Sequence, residues 1–320
     1  KMDKYKVLLL AGGVGGAKLA EGFSKLSTVQ LSILGNIGDD EEFYGLWVSP
    51  DIDTLLYTLS EKVNRSQGWG VIGDTYQSQT TMGELGEDTW MKLGDKDLGL
   101  HIHRTNRLRK GHRPTEITAD LCRSFGLTSQ ILLPSDDVIQ TRIKTQSGWM
   151  SFQEYFVGAR CEPQVLEVDY TGASQASATP ECIKAINDAD FIVIAPSNPV
   201  LSIQPILAVD TIRQALSGSA KPVLAVSPLI AGKVVKGPAD KIMKSLGMKV
   251  DAVGVADFYK DICDLLLIDF KDSDCSHEIE ALGMAVDCAD IFMAEQADKI
   301  ALAEHIINLG VKMSKEGLSK

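Results

Sequence analysis

The sequence is short of the features that mark several large functional classes. It has no run approaching the roughly 18 apolar residues a membrane-spanning helix needs. Its opening residues, Lys1 to Lys6, are charged and lead straight into a short apolar run instead of a signal-peptide core. A cytoplasmic protein with no membrane contact is expected. Positive charge is also scarce, with 32 Lys and Arg against 43 Asp and Glu, a formal net charge of −11. That balance excludes a broad basic face for nucleic acid, so an anionic ligand has to be held locally. The six cysteines contain no C-x-x-C pair, which argues against a zinc knuckle or redox dithiol and reads as reduced thiols. Internal repeats and low-complexity runs are missing too, so a solenoid is excluded.

What is present is enough apolar residue for a sizeable core: 44% of 320 residues. Residues 7–11 are a short apolar run stopped by Gly12 and Gly13, the pattern of a strand buried on both faces. Ala17, Leu19, Ala20, Phe23 and Leu26 follow at helical spacing, and residues 29–34 form a second apolar run, so the chain opens as a βαβ unit. Later strands are expected at 191–195, 222–226, 250–255, 265–269 and 291–293, with helices at 257–264 and 297–308. Between them lie a polar helical stretch at 112–125 and an alternating segment at 138–145 that reads as a solvated antiparallel strand. The expectation is a single α/β domain over 1–320. It has a Rossmann-like core with a mostly parallel sheet, at about 5–60 and 171–310, and an inserted cap at about 61–170.

Three groups of residues carry chemistry. Gly12, Gly13, Gly15, Gly16 and Lys18 lie between a strand and a helix, where free N–H groups and the helix dipole suit a phosphate. A dinucleotide fingerprint fails, because Lys18 stands where a third glycine belongs and the second strand ends at Asn36 rather than at an acid; no P-loop G-K-[ST] is present either. The second group is acidic: Asp39, Asp40, Asp51 and Asp53. Carboxylates repel a phosphorylated donor unless a divalent cation bridges them, so Mg²⁺ is expected on Asp39, Asp40 and Asp53, with Asp53 facing the glycine loop. Asp51 reads equally well as a helix N-cap, and Asp39 and Asp40 as solvated turn residues. The third group, Lys92, Lys96, His101, His103, Arg104 and Arg107, offers an anion-binding wall or a plain charged face. The alternation of His101 and His103 suits one face of a strand, and with no third ligand nearby it is a poor transition-metal site.

Taken in order, Gly12-Gly-Val-Gly-Gly-Ala-Lys18, Asn36-Ile-Gly-Asp-Asp40, Ser49-Pro-Asp-Ile-Asp-Thr54, Leu93-Gly-Asp95, Ser135-Asp-Asp137, Phe152-Gln153, Ala195-Pro-Ser-Asn-Pro199, Ser227-Pro-Leu-Ile230 and Gly237-Pro-Ala239 resemble the 2-phospho-L-lactate transferases of coenzyme F-420 assembly over nearly the whole chain. That resemblance implies transfer of a phospho-lactyl group, or an enolpyruvyl or glyceryl relative, from a guanosine diphospho-linked donor to the deazaflavin alcohol FO, with GMP released. It also implies Mg²⁺ and a homodimer. Carried across, FO contacts fall on Asp53 and Lys92. In the mechanism expected from these residues, Asp53 positions Mg²⁺ or takes the hydroxyl proton, Asp39 or Asp40 completes the metal shell, and the glycine loop with Lys18, Ser197, Asn198 and Ser227 holds the donor. The alternative is a sister group with a similar core that binds a UDP-sugar as a regulatory factor without transferase activity. A nicotinamide-dependent oxidoreductase is disfavoured by the failed fingerprint.

Overall fold

Val7 to Ala11 have no polar side chain to send to solvent, and all five are buried. Such a strand is stable only between two parallel neighbours with helices on both faces. In the computed structural model, which describes residues 4–317, β1 (Tyr5–Ala11) lies between β2 (Val29–Gly35) and a strand from the second half of the chain. Lys1 to Asp3, part of the charged lead-in, fall outside the described residues.

The helix α1 (Gly13–Ser24) joins β1 to β2. A hairpin of β3 (Glu41–Phe43) and β4 (Leu46–Val48) then leads into α2 (Pro50–Leu59). The cap follows, with α3 (Gln77–Glu84), α4 (Asp95–Arg109) and α5 (Pro114–Ser124), then β5 (Gln130–Leu132). A three-stranded antiparallel sheet of β6 (Gln140–Thr145), β7 (Gly148–Ser151) and β8 (Glu167–Thr171) encloses a π-helical turn, Glu154–Gly158. The second half alternates α6 (Pro180–Asp188), β9 (Phe191–Ile194), α7 (Gln204–Leu207), α8 (Asp210–Ser217) and β10 (Val223–Val226). A small hairpin of β11 (Leu229–Ile230) and β12 (Lys233–Val234) precedes α9 (Ala239–Ser245), α10 (Ala252–Tyr259), β13 (Leu265–Asp269), α11 (Ser276–Ala281), β14 (Ala285–Ala289) and α12 (Gln296–Glu316).

Seven strands form one parallel sheet in the order β14-β13-β10-β9-β1-β2-β5, the expected α/β class. The chain winds outward from β1 through β2 to β5, returns to β9 on the other side, with Val7 paired to Phe191, and winds outward again. The β1/β9 boundary is therefore a topological switch point, where parallel sheets hold ligands beyond the strand carboxyl ends. Strand β5 lies inside the stretch read as cap, yet it forms an edge of the central sheet.

Two expected strands are absent. Residues 252–259 are the helix α10, because Asp251 caps it by accepting a hydrogen bond from the Gly254 N–H at 2.9 Å, a start signal that outweighs its valines. Residues 291–293 are loop, and the edge strand comes earlier as β14. The last helix is longer than expected and rests on α1: Gly22 has no room for a Cβ against the Lys299 carbonyl, and Gly310 sits against the Phe191 ring. Glu21 ties this corner together, accepting from buried Lys299 at 2.8 Å and from Arg65 of the cap at 2.8 Å. No described helix is long and apolar enough to cross a membrane.

Candidate functional site

A cavity of about 600 Å³ opens at the switch point, between the carboxyl ends of the strands and the cap. A larger groove of about 780 Å³ lies between α5 and α6, but it is lined by Lys6, Gln30 and Gln130 at the amino ends of β1, β2 and β5, the end of a parallel sheet that does not carry ligands. The switch-point cavity is the candidate site.

Its floor is the glycine loop, and each glycine there has its own reason. A Cβ on Gly15 would lie 2.5 Å from the Pro196 carbonyl oxygen, and one on Gly16 would meet Ser197 Oγ and Ala11. These two let the β1 and β9 turns pack together. Gly12 is crowded by Asp51, Ser202 and Asn36, whereas Gly13 has φ +64 and open space beside it. Ser197 Oγ locks the turns, donating to Gly12 O at 2.6 Å and accepting from Gly12 N–H at 3.2 Å. Asn198 Oδ1 accepts from the N–H groups of Val200 and Leu201, and Ser227 Oγ accepts from that of Leu229. Lys18 Nζ reaches only the Met293 carbonyl, at 3.3 Å, with no carboxylate partner among the described residues. Burial, then the nearby Lys299 and Lys236, push its pKa down.

The acidic residues split into two sets. Asn36 Nδ2 donates to Asp39 Oδ1 at 3.1 Å and to Asp51 Oδ2 at 2.9 Å, holding two buried carboxyls side by side under the glycine loop. Burial and then the Asp51 charge push Asp39 well above the carboxylate range; burial also raises Asp51, with Asn36 opposing. Asp51 therefore faces the glycine loop, a place the sequence reading assigns to Asp53. Two buried carboxyls held side by side by one amide, both raised by burial and Asp39 further by the Asp51 charge, are a donor set that fits a divalent ion. Asp40, read as a solvated turn residue, is buried: its Oδ2 accepts from Ser49 Oγ at 2.8 Å, its Oδ1 has no partner, and burial raises it well above the usual range. It does not line the cavity, and neither does Gly16.

Asp53 lies deeper. The Arg104 guanidinium grips both its oxygens, and His101 Nδ1 stands 3.6 Å from Oδ2. His101 Nε2 is 3.1 Å from Asp97 Oδ2, and Tyr57 Oη donates to Asp97 at 2.7 Å. Burial pushes Asp53 up, with Arg104 and then His101 opposing. The histidines are on the helix α4, not on a strand, and helical spacing lets Asp97 and His101 meet at i,i+4 while His103 is exposed. The fold also supplies what the sequence lacked nearby: ligand atoms of Asp53, Asp97 and His101 lie within 4.8 Å of one another. Arg104 already occupies both Asp53 oxygens, however, so a cation there would sit against a guanidinium; the Asp39 and Asp51 pair fits a metal better.

Arg104 and Arg107 are paired with carboxylates and leave no cation wall; Lys92 remains exposed at the cavity. Of the residues singled out from the sequence, Gly12, Gly13, Gly15, Lys18, Asp39, Asp53, Lys92, Ser197, Asn198 and Ser227 line one cavity. Sequence reasoning missed Asp97 and the aromatic lining of Trp69, Trp90 and Phe156, and held Phe152 only as part of a family motif.

Fold and site together define a doubly wound α/β protein with an open cavity at the switch point, lined by a glycine loop, buried carboxyls and exposed aromatic rings. The chain belongs to the family of 2-phospho-L-lactate transferase CofD, whose model matches residues 7–298, and is thus an enzyme of the transferase class. It is 37% identical over 304 residues to a 2-phospho-L-lactate transferase of Methanosarcina acetivorans, covering 95% of this chain and 98% of the relative. It is 35% identical over 311 residues to a phosphoenolpyruvate transferase of Streptomyces griseus, with 95% and 98% covered. Among solved structures, a UPF0052-family protein of Bacillus halodurans matches with TM-score 0.64 at 17% identity, covering 96% of this chain and all of that one, a likeness of fold alone.

Proposed function

We propose that the enzyme moves a phospho-linked three-carbon acid from a guanosine diphospho-linked donor to the ribityl hydroxyl of the deazaflavin FO, releasing GMP. The observation that carries this is the meeting, in one cavity, of a glycine loop and a lysine without a carboxylate partner at the strand ends with Asp53 and Lys92 beneath an aromatic cap. The relatives' names include both phospho-lactate and phosphoenolpyruvate transferases, so the acid is left at its chemical class.

In the proposed step the ribityl oxygen forms a bond to the donor phosphorus that bears the acid, the bond from that phosphorus to the bridging oxygen breaks, and GMP leaves. Asp53, its carboxylate oriented by Arg104 and raised by burial, takes the hydroxyl proton. The glycine loop N–H groups and Lys18 hold the donor phosphates, and Lys92 holds FO. Mg²⁺ on Asp39 and Asp51 would supply charge neutralisation at the phosphates. A homodimer belongs to the same reading, checked by sedimentation.

The test is a fluorescence titration of FO with Mg²⁺ and GDP on the native protein and on Asp53→Asn, alongside turnover. Expected are saturable binding and a variant turnover reduced by about 10²-fold or more. An Asp53→Asn enzyme of full activity would remove that residue from the chemistry. Failure of the native protein to bind FO, with stabilisation by a UDP-sugar, would favour the regulatory sister group.

A further inference from the structure

We propose that Arg160 is a further substrate-recognition residue, its guanidinium engaging the oxygen-bearing edge of the acceptor's flat ring where that ring lies on Phe156 and Trp90. The proposal rests on the acceptor reading above.

Five of the nine arginines, Arg65, Arg104, Arg107, Arg113 and Arg123, are ion-paired to carboxylates, and of the four that are not, Arg109, Arg142, Arg160 and Arg213, Arg160 alone lines the cavity. Arg160 is exposed at the cap side of the cavity and has no carboxylate partner among the described residues. It is also held there against its backbone preference. Arg160 has φ 52 and Cys161 φ 57, a left-handed conformation that non-glycine residues rarely adopt. The turn is clamped: Cys161 N–H donates to Tyr155 O at 2.9 Å, and Lys241 Nζ donates to the carbonyls of Cys161 and, at 3.0 Å, of Glu162. A glycine at 160 would keep this turn without strain, yet the chain carries a guanidinium there.

The surroundings say what the guanidinium is for. Phe152 stacks on Phe156 at 5.3 Å and 15°, covering one face, and Phe156 is still 42% exposed. Trp90 is fixed edge-on against Phe43 at 5.5 Å, is 36% exposed, and has the bare backbone of Gly158 beside its ring. Two partly exposed rings and a planar, forked donor lining the same cavity suit a flat heteroaromatic ring with acceptor oxygens on its edge. Two such rings enter the reaction, the deazaflavin and the guanine. Lys92, two residues from Trp90 and likewise on this side, assigns the shelf to the deazaflavin, while the glycine loop takes the nucleotide at the other end.

The experiment measures FO affinity by fluorescence, GDP affinity by calorimetry and Tm, on the native protein, Arg160→Met, Arg160→Gly and Lys241→Met. Arg160→Met should weaken FO about 10-fold, the scale of one charge-assisted hydrogen bond, and leave GDP affinity within about twofold. Arg160→Gly should weaken FO similarly while raising Tm by about 2 °C, because the strain is released. Lys241→Met, which touches no ligand, should weaken FO by less than either. FO affinity within twofold of native in both Arg160 variants would overturn the proposal, and so would a loss of GDP affinity in place of FO affinity. A native protein that does not bind FO would overturn the acceptor reading itself, and this proposal with it.

Discussion

The two halves of the cavity are built on opposite plans. At the strand ends, Lys18 and the Asn198 amide nitrogen apart, the polar groups are committed to one another: Ser197 to Gly12, Asn36 to Asp39 and Asp51, Asn198 Oδ1 to the turn that follows it. On the cap, Trp69, Trp90 and Phe156 stand 45%, 36% and 42% exposed, with Lys92 and Arg160 free of carboxylate partners among the described residues. The difference teaches that the first half is preorganised and the second adaptable. A group whose hydrogen bonds are already made needs no reordering when a charged ligand arrives, whereas exposed rings can accept a flat ligand by desolvation alone.

The sharpest break would come where the halves join. Arg104→Met strands Asp53 and Asp40 in the interior without their counter-charge, which should cost about 3–5 kcal/mol of stability in chemical denaturation. Little or no loss would mean that the junction is not held by charge.

Next in size is the metal effect at the strand ends. Mg²⁺ at 100 times its Kd should stabilise the native protein by about 2.7 kcal/mol, and Asp39→Asn should abolish most of that gain while raising the Tm of the metal-free protein. The sign follows from the raised carboxyls. Because Asp39 and Asp51 are pushed up in the folded state, their own contribution to metal-free stability is greatest below the ordinary carboxyl range and is lost as pH rises through the raised values, a loss that Asp39→Asn should reduce. Melting curves with and without Mg²⁺ across that range check both points.

Gly15→Ala should cost about 1–3 kcal/mol, because its Cβ meets backbone at the Pro196 carbonyl and not a side chain that could swing away. GDP affinity should fall with it and FO affinity should hold. Lys92→Met is expected to be the mildest for the fold, within about 0.5 kcal/mol of native, and to weaken FO about 10-fold in the same titration. If Lys92→Met instead altered GDP binding, the division of the cavity would be wrong.

The strand-end half was legible in the sequence for the reason that makes it rigid. A short apolar strand, a glycine turn and a helix are contiguous, so β1 with its loop, and Ser197 after β9, could be read without knowing the fold. The cap was not legible in that way. His101 and His103 suggested a strand because alternation was weighed ahead of the Asp97 and His101 spacing, which is one helical turn. The sequence points Asp53 at the glycine loop where the fold turns Asp51, since which of two neighbouring carboxyls faces β1 depends on Asn36, before them both, and on Arg104, 51 residues after Asp53. Residues 250–255 misled through their valines, although Asp251 carried the cap that starts α10.

The pairing of Val7 with Phe191 and the seating of α12 on α1 also bear on synthesis. The glycine loop leaves the ribosome ahead of its partners, attached to a strand that soon gains only one of its two neighbours, β2. The other neighbour, the Ser197 hydroxyl that locks the loop and the Lys299 amine that neutralises Glu21 all arrive in the later part of the chain. A nascent chain therefore carries the glycine loop unlocked until Ser197 and Lys299 have been made, and the cavity at the switch point is completed only when α12 closes on α1.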